Sequence, residues 1–325
     1  MIGVLSLFFT HSASAQQTFK YKYFSFTPMA SFGTQFLVQF AKEAKELSKN
    51  RLDIRVYPQG ELPYQPTDAI DISSKGLVEL ANTEVSYAAG AVPLAPLVSF
   101  PLLVNSMEEA LKVGRVFMPH LDKAIQEKYN AKLLWWYTWP NRKILGKGEV
   151  PKSLADMKGK KIRFPGPIGS EFLTRLGMVP VNLPPGDIAV ALQRGTLDGT
   201  SGAYVYIDSF KWYELCNWGY EIKCGAVYNL TIMNKAAYEK LPPDLKKILD
   251  DLAEKYQVKC AEFGYDREDK TKEKFQKAGI VFVEPSEKDL AFAKEKILPF
   301  WDEWAQSKGP AAVQALKEVR QVLGQ

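Results

Sequence analysis

Histidine is nearly missing from this chain of 325 residues, which has only His11 and His120. That takes away the usual general base of Ser-His-Asp and Cys-His hydrolysis, and no cysteine–histidine spacing suggests zinc. Cysteine is almost as scarce, with three residues. Cys216 and Cys224 either pair across a short loop in an oxidising compartment or remain two thiols; their spacing does not decide. Cys260 falls in a helical pattern, where a thiol packs as a small hydrophobe. Neither sign of charge dominates: 42 Lys and Arg are interspersed with 37 Asp and Glu. The longest basic patch, Lys158 to Lys161, reads as a solvated turn and is too short for a nucleic-acid footprint. No run approaches the roughly 18–20 apolar residues needed to span a bilayer. Gly146-Lys-Gly148 lacks the third glycine of the dinucleotide fingerprint, no Walker sequence occurs, and Gly199-Thr-Ser-Gly202 is not the G-x-S-x-G elbow. His120, in a helical stretch, suits a capping or surface role.

What is present begins with a short apolar run, Ile2 to Phe9, followed by small residues at Ala13 and Ala15. This matches an export signal over residues 1–15, although the usual basic start is missing; a buried amphipathic segment is the alternative. With 46% hydrophobic side chains, the remainder can bury the core of one large or two medium domains. The aromatic alternation FKYKYFSF (19–26) reads as a strand. The spacing of Phe36, Leu37, Phe40, Ala44 and Leu47 predicts a helix, and Leu52-Asp-Ile-Arg-Val56 a second strand stopped by Pro58 and Gly60. Strand, helix, strand in so short a span is a βαβ unit, which favours a parallel sheet. Further strands are expected at 78–83, 131–137, 143–145, 161–164 and 228–233. Helices are expected at 106–129, with Ser106 as N-cap, at 170–176 and at 186–194, ending at Gly195. Beyond Met233 the chain turns helical and charged, with its longest element at 243–274. The fold class is α/β, in two lobes with a helical C-terminal third.

Two features speak of holding something. Aromatic residues crowd Trp135-Trp-Tyr-Thr-Trp139 and the stretch Tyr204, Tyr206, Trp212, Tyr213. At period two, Trp135 and Tyr137 face one way and Trp136 the other, so part of the set fills core and part can line a cleft. Arg163 ends the strand Lys161-Ile-Arg-Phe164 immediately before Pro165-Gly-Pro167. A guanidinium held there is either a surface charge or a fork for an anion.

Six segments then fall in one order: LDIRVYPQGEL (52–62), GLVELANTE (76–84), PLLVNSMEEALK (101–112), SLADMKGKKIRFPG (153–166), LGMVPVNLPPGDIAVALQRGTLDG (176–199) and MNKAAYEKLPPDLKKIL (233–249). In this order the chain resembles the extracytoplasmic solute-binding proteins of tripartite ATP-independent periplasmic (TRAP) transporters, the DctP family. The resemblance implies a periplasmic binding protein fold, with two lobes, a long connecting helix and a ligand cleft between them. Residues 16–140 would form mainly the first lobe and 141–228 mainly the second, with 229–325 supplying a crossover strand, the long helix and C-terminal helices on both lobes. It also implies a periplasmic monomer, without a cofactor or nucleic-acid partner, that delivers a small organic anion to membrane permease subunits. Some keto-acid members hold their ligand through a cation.

Arg163 matches the family arginine that binds the ligand carboxylate. Arg142 matches a second, used in some members, and Glu84 a carboxylate that holds a hydroxyl or amine. Sialic-acid-type members carry an asparagine where this chain has Gly202, which argues against that specificity. Thr200, Ser201 and Tyr204 are left as replacements, with Trp212 and Trp139 as walls. The aromatic richness points to a planar or hydrophobic acid, with dicarboxylates and sulfonates left open. A secreted hydrolase using two carboxylates and a solute-sensing domain feeding a receptor are the contrasting functions.

Overall fold

The structure, a computed structural model, describes residues 17–325, so the export signal expected at 1–15 lies outside the described residues. β1 (Phe19–Phe24) and β2 (Leu52–Tyr57) pair in parallel, and α1 (Phe32–Leu47) crosses between them as the βαβ pattern predicts. The apolar stripe of α1, with Phe36, Leu37, Phe40 and Ala44, is buried against the sheet. α2 (Ala69–Ser74) leads to β3 (Leu80–Glu84), every residue of which is buried. α3 (Met107–Lys128) starts at the expected N-cap: Ser106 Oγ accepts from the Glu109 amide at 3.1 Å. β4 (Ala131–Asn141) then runs directly into β5 (Lys143–Gly146) through Arg142.

The second half brings β6 (Lys161–Arg163), α4 (Gly166–Arg175), β7 (Val179–Val181), α5 (Ile188–Arg194), β8 (Gly199–Gly202), α6 (Tyr204–Ser209) and β9 (Trp218–Tyr220). β10 (Ala226–Asn234), α7 (Lys235–Glu239), α8 (Pro243–Lys277), β11 (Val281–Val283), α9 (Glu287–Lys308) and α10 (Pro310–Leu323) complete the chain. The strands form two sheets, ordered β2-β1-β3-β10-β4 and β11-β9-β5-β8-β6-β7. Each sheet is the centre of one lobe, and the chain passes between them at Arg142, at 221–225 and along α8.

α8 explains how one helix serves both lobes. Its buried positions, Leu245, Leu249, Leu252, Tyr256, Cys260, Gly264, Glu268, Thr271 and Phe275, recur every three or four residues, so they form one continuous stripe. The first part packs on α1 and β4. Phe275 joins the core of the second lobe, with Tyr204 and Trp212. Between them the stripe turns small and polar at Gly264, Glu268 and Thr271. At 35 residues the helix is about 52 Å long.

β9 and β11, three residues each, escaped the sequence reading because alternation needs a longer run to register. β10 is longer than its apolar pattern because it is paired on both sides, with β3 and β4. Cys216, Cys224 and Cys260 are all free thiols. His120 meets Glu318 of α10 at 2.7 Å, a surface contact.

Candidate functional site

Where the two sheets meet, side chains from both lobes line a narrow space. Sheet one contributes the walls. The β-period predicts that Trp135, Tyr137 and Trp139 share a face, and they do: Trp135 goes into core against Phe40, while Tyr137 and Trp139 reach the cavity. Trp136, on the other face, belongs to a different core cluster. The indole of Trp139 is seated by α8, because its Nε1 donates to the Cys260 carbonyl at 3.1 Å. Gly264 makes that approach possible: a Cβ there would lie 2.5 Å from Trp139 Cδ1. Phe26 and Val227 add apolar surface.

The charged groups sit on the seam. β6 holds Arg163 by parallel pairing with β7 and β8, in register with Val181 and Thr200, and the side chain is 1% exposed. Its Nε donates to the Leu183 carbonyl at 3.0 Å and its Nη2 to the Tyr87 hydroxyl at 2.8 Å. Tyr87 follows β3, so this second bond ties one lobe to the other. Two of the five guanidinium N–H donors are thereby used, and among the described residues no carboxylate forms an ion pair with it. Burial raises the Tyr87 hydroxyl above its ordinary pKa, outweighing the lowering influence of Arg163, so the phenol stays neutral. Tyr206, also on the cavity wall, is held well above the phenol range, by burial first and then by neighbouring Tyr87.

Arg142 lies at the crossover itself. Its backbone carbonyl accepts from the Cys224 amide and its amide donates to Gly225, each at 2.9 Å, which pins two crossing strands together. Its side chain is 2% exposed and forms an ion pair with Glu84 at the end of β3. Three hydroxyls at or beside the cavity, Ser31, Thr200 and Ser201, are buried without a hydrogen-bond partner in the protein. Ser31 and Ser201 line the space directly. Ser31 is the N-cap residue of α1, yet its side chain makes no capping bond.

The DctP family model, described as bacterial extracellular solute-binding protein, family 7, matches residues 25–308. The chain belongs to the DctP family. This DctP protein is 27% identical over 262 residues to a solute-binding protein of Albidiferax ferrireducens, which covers 79% of this chain and 76% of the relative. Over 173 residues, 52% of this chain and 46% of the relative, it is 31% identical to a monocarboxylate 2-oxoacid-binding periplasmic protein of Nostoc. In fold it matches DctP7, a Bordetella pertussis extracytoplasmic solute receptor binding pyroglutamic acid, with a TM-score of 0.87, 20% identity, and 93% and 100% of the two chains covered. A marine metagenome TRAP solute-binding protein specific for aromatic acids, in complex with 3-hydroxybenzoate, matches with a TM-score of 0.85 at 24% identity over 95% and 98%. The two-lobed architecture is therefore that of TRAP solute-binding proteins. The family is one of extracytoplasmic receptors and not of enzymes, and no helix of the described residues is long and apolar enough to cross a membrane.

Of the positions singled out in the sequence, Arg163, Arg142, Glu84, Ser201 and Trp139 line the cavity of this DctP protein. Three do not. Thr200 precedes Ser201 in β8, and strand alternation turns its side chain the other way. Tyr204 points into the second lobe, where its hydroxyl is bonded to Glu221 and its amide donates to Glu268 at 3.0 Å. Trp212 stands behind the wall, edge-on to Tyr206 at 5.5 Å between ring centroids. Two residues past Tyr204, Tyr206 is the ring that reaches the space. Phe26, Ser31, Tyr87 and Asn229 escaped the sequence reading: the first three sit outside strands, where no period says which way a side chain points, and Asn229 lies within β10, where every residue is buried and no alternation shows. Among the described residues, the cavity lining includes one carboxylate, that of Glu84, which is paired with Arg142.

Proposed function

We propose that this DctP protein captures a small organic acid outside the cytoplasm and delivers it to a TRAP membrane permease, after residues 1–15 direct its export. The carboxylate lies on the free N–H groups of Arg163, whose planar fork can donate two parallel bonds to it. The acid's body rests between Tyr137, Trp139, Phe26 and Tyr206, and Ser31 and Ser201 meet its polar substituents. The observation that carries this reading is that Arg163, 1% exposed, faces an aromatic-walled space and, among the described residues, is paired with no carboxylate. Buried charges are normally paired, so the guest supplies the missing partner. The acids bound by the structural neighbours, pyroglutamate and 3-hydroxybenzoate, and the 2-oxoacid class of the Nostoc relative support the same ligand chemistry.

The capture involves no covalent step. Because the ligand touches both lobes only when they meet, it favours the closed arrangement. The test is a thermal-shift screen of the mature protein against organic acids, since a ligand that binds the folded state alone raises Tm by mass action. Calorimetry on the best acid follows, with wild type and Arg163→Ala. Heat of binding is expected from the first and none from the second, with the circular dichroism of both alike; near-normal affinity in the variant would refute the assignment.

A further inference from the structure

Among the described residues, three charged side chains line the cavity: Arg163, Arg142 and Glu84. Two of them, Arg142 and Glu84, cancel each other in a buried ion pair. The nearest buried charges beyond, Lys143 and Glu268, are likewise paired, at 2.5 Å. One positive charge is left uncompensated, that of Arg163. We infer that Glu84 is a specificity-determining residue that sets the charge of the ligand: by neutralising Arg142 it limits the cavity to a monoanion and rejects dicarboxylates of the same shape. The inference rests on the proposed function of the site and names the charge class that the function takes.

The physical argument is one of balance. Glu84 and Arg142 are 7% and 2% exposed, so water screens them little. A second carboxylate on the guest would meet Glu84 where water screens little, and like charges brought together there repel strongly. Its natural partner, Arg142, is already taken. A neutral ligand fails for the opposite reason, because it leaves Arg163 buried without a counter-charge. Polar but uncharged substituents remain acceptable, since Ser31 Oγ and Ser201 Oγ have no partner in the protein.

Two substitutions vary the charge in steps. Arg142→Gln leaves the cavity neutral, Glu84→Gln raises it to two positive charges, and the double variant restores the native balance of one. The probes are matched skeletons, 3-hydroxybenzoate against benzene-1,3-dicarboxylate and pyroglutamate against cyclopentane-1,3-dicarboxylate, measured by calorimetry at pH 7.5 with thermal shift as a second readout. Wild type is expected to favour the monoanion of the pair it binds by about 100-fold or more, in keeping with the cost of opposed like charges. Glu84→Gln should narrow that ratio by at least about tenfold or reverse it, with the dianion now raising its Tm more than the monoanion does. Arg142→Gln should lose monoanion affinity, and the double variant should regain it.

A wild type that binds both members of a pair equally overturns the inference, as does a ratio unchanged in Glu84→Gln. A double variant no better than Arg142→Gln also overturns it, because direct contact or mere packing by Arg142 would then account for the loss. If one single variant does not fold, the other and the double variant still complete the comparison. The failures are separable: if wild type binds none of the four acids and none from the wider screen, the proposed function fails with the inference, whereas monoanion binding without the charge steps sinks the inference alone.

Discussion

A single side chain, Arg163, carries most of what is proposed for this protein, and its geometry shows why charge alone is not enough. Its Nε and one Nη2 proton are committed to Leu183 and Tyr87, which fixes the plane of the guanidinium before any ligand arrives. Arg163→Lys keeps the charge but loses the plane and the parallel donors. Its affinity for the cognate acid should fall between those of wild type and Arg163→Ala, which calorimetry can rank. Truncating one partner of a buried charge pair costs about 2–5 kcal/mol, so the alanine variant should weaken binding by roughly one and a half to three and a half powers of ten. Ser31 makes a smaller, separate contribution. A neutral hydrogen bond is worth about 0.5–1.5 kcal/mol, so Ser31→Ala should weaken binding of a hydroxyl- or oxo-substituted acid by roughly two- to tenfold. Because the Ser31 hydroxyl caps no amide of α1, the substitution should leave Tm nearly unchanged. A large drop in Tm would mean that the hydroxyl serves the fold instead.

Among the elements, α9 is fastened to the second lobe by its first turn. Ser286 and Asp289 form a capping box, and the Asp289 carboxylate accepts four bonds: from Ser286 Oγ at 2.8 Å and from the Ser286 amide, the Leu154 amide and the Tyr220 hydroxyl at 3.1 Å each. Burial pushes its pKa up, but these bonds, those of Ser286 foremost, outweigh burial and hold it below the ordinary aspartate value. A carboxyl whose folded pKa is depressed adds stability above its unfolded pKa, near 3.9, and loses it as pH falls through the lower folded value. Asp289→Asn should therefore cost about 1–3 kcal/mol in urea unfolding at pH 7. The gap from wild type should narrow when the comparison is repeated near pH 3; a constant gap would assign the loss to packing. α8 illustrates the complementary point. Its period was legible from end to end because Leu, Tyr and Phe mark it. The polar middle was not, because Glu268 in a charged helix reads as one more solvent-facing carboxylate. Only when Lys143 and the Tyr204 amide are brought to it does Glu268 become a buried strut, with burial raising its pKa against the pull of Lys143.

At the scale of the whole molecule, binding depends on how closely the lobes can meet. Gly166, the first residue of α4, has φ of +75° and lies so near the other lobe that a Cβ would stand 2.8 Å from the Ser86 carbonyl oxygen. Both facts demand glycine: the left-handed conformation costs other residues about 1–2 kcal/mol, and the contact tolerates no added atom. Gly166→Ala should hold the lobes apart by a fraction of their closure. Ligand affinity should fall about tenfold or more, since the contacts made only in the closed state weaken. Small-angle scattering with saturating acid should give a larger radius of gyration than for wild type; an identical radius and affinity would show that the approach is not limiting.

The sequence by itself determined the α/β class, the opening βαβ unit, the long helix, and the family through six ordered segments. These rest on periods, caps and turn residues, which act over a few neighbouring positions and so survive in a linear reading. It also singled out Arg163, because a charge at a strand end before a forced turn is conspicuous. What only tertiary structure decided is which of the flanking residues face inward. Ser201 lines the cavity and Thr200 does not, Tyr206 does and Tyr204 does not, and Arg142 is neutralised by Glu84, although 58 positions separate them. Those outcomes depend on the angle at which two sheets meet across three crossings of the chain, and the space between the lobes is fixed by that long-range packing and by no local pattern.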